Sequence, residues 1–323
     1  MTPRFGIHPV DQALADAIAR FAQAELAPHA HAVDEAALST VRYVPALAEL
    51  GVMGMNLPER WGGPGATPTA LVLSLAAIAQ ACTATASMIG AHYLATDSLL
   101  IGGDDALRAR YLPAAASGAK LGAFALTEPR AGSNPADMAT RAVREGEHYH
   151  LSGTKHFISN AGEADFIVVY AKTDPAAGHR GISAFVVDKD TPGLTISAPE
   201  KLMGIRGGHA FEVALDCRVH TRQRLGEEGT GFRTAMKVLD NSRIDVAANC
   251  LGLGEAALAA AVDWARQRQV GGEPLAAKQG IQWKLADMKT RLEAAWLLTL
   301  QACAKRQAGV PYSMESSMCK LFA

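Results

Sequence analysis

Ala123-Phe124-Ala-Leu126-Thr127-Glu128-Pro129-Arg-Ala-Gly132-Ser133-Asn134 is the stretch on which the fold turns. An apolar run of strand length ends in Thr-Glu-Pro and a Gly-Ser turn, and the sequence keeps a different period on each side of it. Upstream, the first 120 residues read as helices. Val10, Leu14, Ile18 and Phe21 recur at spacings of four and three, on a helix expected to end before Pro28. Thr67 and Pro68 supply an N-cap and a first-turn proline, and Gly102 and Gly103 close the segment they open. Asp104 then caps a short helix predicted to stop at Pro113.

Downstream, segments 121–126, 149–151, 166–170, 182–187 and 211–215 are rich in Val, Ile, Phe and Tyr and separated by Gly, Asn and Asp clusters. That spacing predicts a small antiparallel barrel or sandwich. After Gly229-Thr-Gly231 helical periodicity returns, broken once at Gly271-Gly-Glu-Pro274. Ile281, Leu285, Met288, Leu292, Trp296 and Leu300 form the predicted core stripe of the second long helix. Ser313 reads as the N-cap of a further helix whose apolar face begins at Met318 and Leu321. The fold class is therefore α+β multidomain: an N-terminal helical domain over 1–120, a middle antiparallel β-barrel over 121–225 and a C-terminal helical bundle over 226–323. The last is expected to be incomplete, because a short terminal helix with an unfinished apolar face is marginal alone.

The composition limits the function. Of 323 residues, 49% are hydrophobic and 20% charged, and Lys+Arg 31 against Asp+Glu 32 leaves a formal charge of -1, so no basic field draws nucleic acid or anionic lipid. Five cysteines without a CxxC pair fit reduced thiols in a cytoplasm and no structural zinc. Residues 62–96 carry no charge, which is long enough for a membrane span, but Pro68, Gln80, Gly90 and His92 interrupt them and a buried core hairpin is expected.

Gly252-Leu-Gly254-Glu-Ala-Ala257 matches a dinucleotide-binding pattern, yet it lies in a helical context with no strand before it, so close helix packing is the better account. The pairs His29/His31 and His148/His150 lack a third ligand and read as solvated surface histidines. The 123–134 segment gathers backbone N–H groups and hydroxyls in one bend, which suits either a flat polar ligand or an ordinary capped turn. Lys155-His-Phe157-Ile158-Ser159-Asn160 sets an aromatic beside a hydroxyl at a strand end, where it could pack on a planar ring or simply fill a core.

Taken together, Leu126-Thr-Glu-Pro129 with Gly132-Ser133, Phe157-Ile-Ser-Asn160, Gly204-Ile-Arg206, Gly229-Thr-Gly-Phe232, Leu239-Asp-Asn-Ser-Arg243, Arg268 and Gln279 resemble the acyl-CoA dehydrogenase family in order and spacing. Leu57-Pro-Glu-Arg-Trp-Gly-Gly63 resembles it too, so the likeness spans essentially the whole chain. The resemblance implies FAD between barrel and bundle, α,β-desaturation of an acyl-CoA thioester, a role in fatty acid metabolism, and electron transfer to an electron-transfer flavoprotein. It also implies a homo-oligomer, a tetramer or dimer.

Carried over by position, it implies that Phe124, Leu126, Thr127, Gly132 and Ser133 line the flavin, with Ser133 also touching substrate. Phe157, Ile158 and Ser159 would back the ring. Asp240 and Arg243 would meet the CoA portion, and Arg268 and Gln279 a neighbouring subunit's FAD. In most of the family the catalytic base is a Glu in a Glu-Gly-Thr-like segment, whose position falls beyond Ala323. A minority place it where this chain has Ser242, and serine is no base at neutral pH without an activating partner. No catalytic residue is thus assigned. The chain departs from the family at Asn134, Phe157, Gly271 and Gly207-Gly208-His209. A non-catalytic flavin- or CoA-binding member and a related flavin oxidase stand as the alternatives.

Overall fold

The computed structural model describes residues 6–323. In chain order the helices are α1 (Pro9–Phe21), α2 (Ala30–Glu35), α3 (Val44–Glu49), α4 (Pro68–Ala81), α5 (Thr83–Gly102), α6 (Asp105–Ala116), α7 (Gly231–Gln267), α8 (Gln279–Gln307) and α9 (Ser313–Phe322). The strands are β1 (Gly122–Ala125), β2 (Arg141–Glu145), β3 (His148–Ser159), β4 (Phe166–Lys172), β5 (Ile182–Asp188), β6 (Leu194–Ile196), β7 (Ala210–His220), β8 (Arg224–Leu225), β9 (Gln269–Val270) and β10 (Glu273–Pro274). Helices, then a sheet, then long helices follow one another as the periodicity predicts.

Chain contacts define two compact units. One comprises the residues through His31, Thr67–Ala86 and Arg243–Ala323; the other comprises Ala32–Ala66 and Ser87–Ser242. In the first, α1 and α8 pack on α4, and α9 packs on α8. Thr67 Oγ1 accepts the Ala70 N–H and Pro68 opens α4, which is buried along most of its length. Gly252 lies against α4 so closely that a Cβ would stand 2.2 Å from the Ala76 carbonyl oxygen. The Gly252-Leu-Gly254 match is thus helix packing. Trp296 donates from Nε1 to Glu255 at 3.2 Å, joining α8 to α7, and Lys305 pairs with the buried Glu315 to hold α9.

In the second unit one sheet runs β6-β7-β3-β2-β4-β5-β8, with β1 beside β4. Its pairings are mostly antiparallel, but β1 runs parallel to β4 and β2 meets β4 parallel at one residue pair, so the sheet is mixed. β4 is covered on both faces. Phe166, Val168 and Tyr170 join a core built with α5 and α6, while Ile167 and Val169 join Tyr149, Leu151, Phe185 and Phe211 in a second core. This is why β4 is a continuous apolar run and not an alternating one.

Several local expectations shift. Ile18 is buried as expected, but Val10 is 67% exposed, and Asp11 and Ala15 share the buried face of α1 with Ile18. Pro113 sits inside α6, capped by Asp104 as predicted. Tyr312, not Ser313, is the N-cap of α9. The α8 stripe is buried only in its second half, around Ala295, Trp296, Thr299 and Cys303, while Met288 is 40% exposed. Residues 62–96 form no span, being divided between α4 and α5. Among the described residues the helix long and apolar enough to cross a membrane is α7, and a stripe of buried positions recurs along it at intervals of three and four: Ala235, Val238, Asn241, Ile244, Ala248 and Leu251, with Thr234, Asp245 and Ala247 buried beside it. That stripe is the mark of a core helix. Gly252→Ala is expected to destabilise the protein by about 1–3 kcal/mol through overpacking against Ala76, read as a lowered thermal midpoint.

Candidate functional site

The end of β1 and the end of β3 lie side by side and carry most of the residues singled out above. The His156 N–H donates to the Thr127 carbonyl at 2.9 Å, joining the two ends. β3 is bulged between Lys155 and Ile158, where two residues of β3 stand opposite one of β7. At the bulge Phe157 adopts φ 56°, and Asn160 follows at φ 66°, both in the left-handed region uncommon for residues other than glycine. The bulge turns the Phe157 ring outward, 58% exposed, while Lys155 and Ile158 face inward.

Behind this juncture lies a buried ion pair that sequence reading missed. Lys155 Nζ, fully buried, donates to Glu128 Oε1 at 2.8 Å and to the Leu126 carbonyl at 3.1 Å. The Glu128 carboxylate also accepts the N–H groups of Ala139 and Thr140. Burial pushes the Lys155 ammonium down to about 8, with Glu128 opposing the fall. Burial raises the Glu128 carboxyl, but the Lys155 charge and the hydrogen bonds from Lys155, Thr140 and Ala139 outweigh it and hold the group below its usual value. Both partners are therefore ionised at pH 7.

A second clamp grips the start of β1. The Gly122 N–H donates to His92 Nδ1 at 3.0 Å, and Asn160 Nδ2 donates to the Met88 carbonyl at 2.9 Å and towards the Gly122 carbonyl at 3.4 Å. Burial lowers the His92 pKa to about 4, against the nearby backbone of Ala115 and Met53, so the ring is neutral and accepts from Gly122. A third buried group is Asp97, whose carboxylate accepts from Asn56 at 2.7 Å and from Asn241 on α7 at 2.8 Å, one residue before Ser242.

The predicted residues divide by exposure. Leu126 and Ile158 are packed in the two cores, and the Phe124 ring lies 5.1 Å from that of Tyr170. Such residues can offer a ligand little but backbone. Gly132, Ser133 and Phe157 are exposed, and Thr127 and Ser159 are half-buried. The hydroxyls of Thr127, Ser133 and Ser159 make no hydrogen bond within the described residues. Asp240 and Arg243 are half-buried, one turn apart on α7. Arg268 and Gln279, both exposed, bracket the β9–β10 hairpin that joins α7 to α8. Among the described residues no group of three or more His, Cys, Asp or Glu is placed to hold a metal ion.

An exposed aromatic flanked by unspent hydroxyls and a tight backbone bend fits a flat ring with hydrogen-bonding edges, as a flavin is. Three family models match the chain in order: "Acyl-CoA dehydrogenase, N-terminal domain" over residues 9–119, the middle domain over 123–217 and the C-terminal domain over 229–323. An acyl-CoA dehydrogenase of Bacillus subtilis (strain 168) is 40% identical over 305 residues, 94% of this chain and 80% of that protein. The solved butyryl-CoA dehydrogenase from Megasphaera elsdenii is 35% identical with a TM-score of 0.95, covering 99% of this chain and 85% of that one. A structure described as an electron transferring flavoprotein of Acidaminococcus fermentans has a TM-score of 0.96 at 36% identity, with the same two coverages.

The chain therefore belongs to the acyl-CoA dehydrogenase family, flavoprotein oxidoreductases that use FAD.

Two outcomes follow for the clamps. Lys155→Met leaves a buried carboxylate without its counter-charge and is expected to cost about 3–5 kcal/mol in urea unfolding, with the double change K155M/E128Q costing less than K155M alone. His92 takes up a proton on unfolding between about pH 4 and 6.5, so its contribution is complete above 6.5 and is lost as pH falls towards 4. The slope is about 1.4 kcal/mol per pH unit at most, and H92N, which keeps an acceptor but does not titrate, should flatten the stability profile there.

Proposed function

We propose that this protein desaturates an acyl-CoA thioester between its α and β carbons and passes the electrons to an electron-transfer flavoprotein. The observation that carries the reading is the match to all three domains of one family, in order, on a chain whose β1 and β3 ends set half-buried hydroxyls beside an exposed aromatic. Similarity to the Megasphaera elsdenii and Acidaminococcus fermentans proteins supports the substrate class and the partner. We assign residues 1–120, 121–225 and 226–323 to the helical, flavin-binding and bundle parts.

Bound FAD supplies the acceptor for the hydride that leaves the β carbon. The protein's own residues do the rest. The Thr127 hydroxyl and the backbone of Leu126 and Thr127 offer donors to the ring edge, and Gly132 keeps the turn clear for Ser133 to reach cofactor and substrate. Phe157 covers one side of the ring and excludes water, with Ser159 and the Ile158 backbone beside it, and exclusion of water strengthens every polar contact made there. Arg243 presents a cation, and Asp240 an acceptor, to the CoA portion.

Removing the α-proton needs a base, and Ser242 does not supply one, since its hydroxyl is not ionised at neutral pH without an activating partner. Arg268 and Gln279 are exposed and free to reach a neighbouring copy, so we place them on a partner subunit's FAD in a homo-oligomer, tetramer or dimer. Five free cysteines, four of them buried, suit a cytoplasmic location.

Anaerobic addition of acyl-CoAs of increasing length to the FAD-loaded protein tests the reaction. Loss of the flavin's visible absorbance with at least one of them is expected; a flavin that keeps its colour with every one overturns the reading.

A further inference from the structure

Phe157 is the most exposed aromatic of the site, yet its ring is not loose. The imidazole of His156 lies parallel to it, with centroids 4.2 Å apart and the planes at 10°. Neighbouring residues of a regular strand point to opposite faces and cannot stack in this way. They do so here because the bulge and the left-handed Phe157 backbone turn both side chains to the same side.

His156 is itself fixed at two points. Its N–H is bonded to the Thr127 carbonyl, and its Nε2 lies 2.9 Å from Glu200 Oε1. Facing a carboxylate, Nε2 carries the proton and donates. Glu200 is held in turn, its N–H donating at 2.8 Å to the carbonyl of Ala210, the residue paired with Ser159 across β3 and β7. Thr127, His156, Phe157, Ser159 and Glu200 are thereby tied into one frame.

We infer that His156 and Glu200 are positioning residues for Phe157: Glu200 fixes the imidazole, the imidazole occupies one face of the phenyl ring, and the opposite face alone is left for the cofactor. This rests on the reading that Phe157 backs the flavin. A phenyl group on a strained, exposed backbone otherwise turns about χ1 and χ2 and would meet a bound ring in several orientations.

The test uses the full chain loaded with FAD, with visible circular dichroism of the bound flavin and the FAD dissociation constant as readouts. H156A is expected to weaken FAD binding about three- to tenfold, the worth of one aromatic pair, and to reduce the visible dichroic band. E200A should move both readouts in the same direction by less, with the far-ultraviolet spectrum unchanged because Glu200 is a partly exposed side chain. H156F, which restores a flat face without the bond to Glu200, should recover most of the loss. H156A and E200A that match the unsubstituted protein, while F157A does not, overturn the positioning role and leave Phe157 on the flavin. An F157A protein with unchanged dichroism and affinity removes Phe157 from the flavin and the inference with it. H156A impaired without recovery in H156F would rule out stacking as the cause.

Discussion

Two opposite charges sealed inside the sheet domain, Lys155 and Glu128, fix the relation between the two strand ends that make the site. Neither is affordable alone in an apolar interior, since an unpaired buried charge costs several kcal/mol. Together they satisfy one another, the Leu126 carbonyl and the N–H groups of Ala139 and Thr140, and so tie both ends of the 126–140 segment to β3. An apolar pair could fill the same volume. It could not select this arrangement, because apolar contacts are indifferent to which carbonyl or N–H lies next to them. The exposed face of the juncture, Thr127 with Phe157, inherits its geometry from this hidden side.

Local signals were legible in the sequence, and long-range ones were not. Thr67 and Asp104 were readable as caps because a cap is settled by a side chain and a backbone N–H three residues away. β3, β4, β5 and β7 were visible as apolar runs bounded by turns, although β3 continues well past the segment read from its Val, Ile, Phe and Tyr content. β2, Arg141–Glu145, was not visible, because Val143 points outward and four of its five residues are exposed, leaving almost no apolar text. Val10 misled the α1 assignment since periodicity alone does not say which of two adjacent stripes is covered. At the candidate site, the motif pointed to Thr127, Ser133 and Phe157, which the structure leaves half-buried or exposed. Nothing in it announced that Lys155 would reach back to Glu128, or that Asp97 would be clamped by Asn56 and Asn241. Those pairings depend on which strands and helices become neighbours, and that is decided by the whole fold.

The near-neutral composition also has a structural counterpart. The charges that matter are few and placed, several of them buried: Lys155, Glu128, Asp97 and Glu315 all lie beneath the surface with named partners. The surface pairs, such as Arg110 with Asp188 and Arg218 with Glu145, are solvated and contribute little to stability. With a formal charge of -1, the chain carries no net basic field to attract a polyanion.

The bulge in β3 sets a further constraint. Lys155 and Ile158 both face inward although they are three positions apart, an odd interval that a regular strand would place on opposite faces. Two outward residues, His156 and Phe157, occupy the gap, and Asn160 reaches Met88 only because the count beyond the gap is shifted by one. Deleting one of the two would make the strand regular, keeping Lys155 and Ile158 inward and paired with the same partners, but it would remove one member of the outward pair that the extra residue creates. The length of this short piece of chain is therefore as strictly determined as its composition, and an alignment that opened a gap between 155 and 160 would describe a different site.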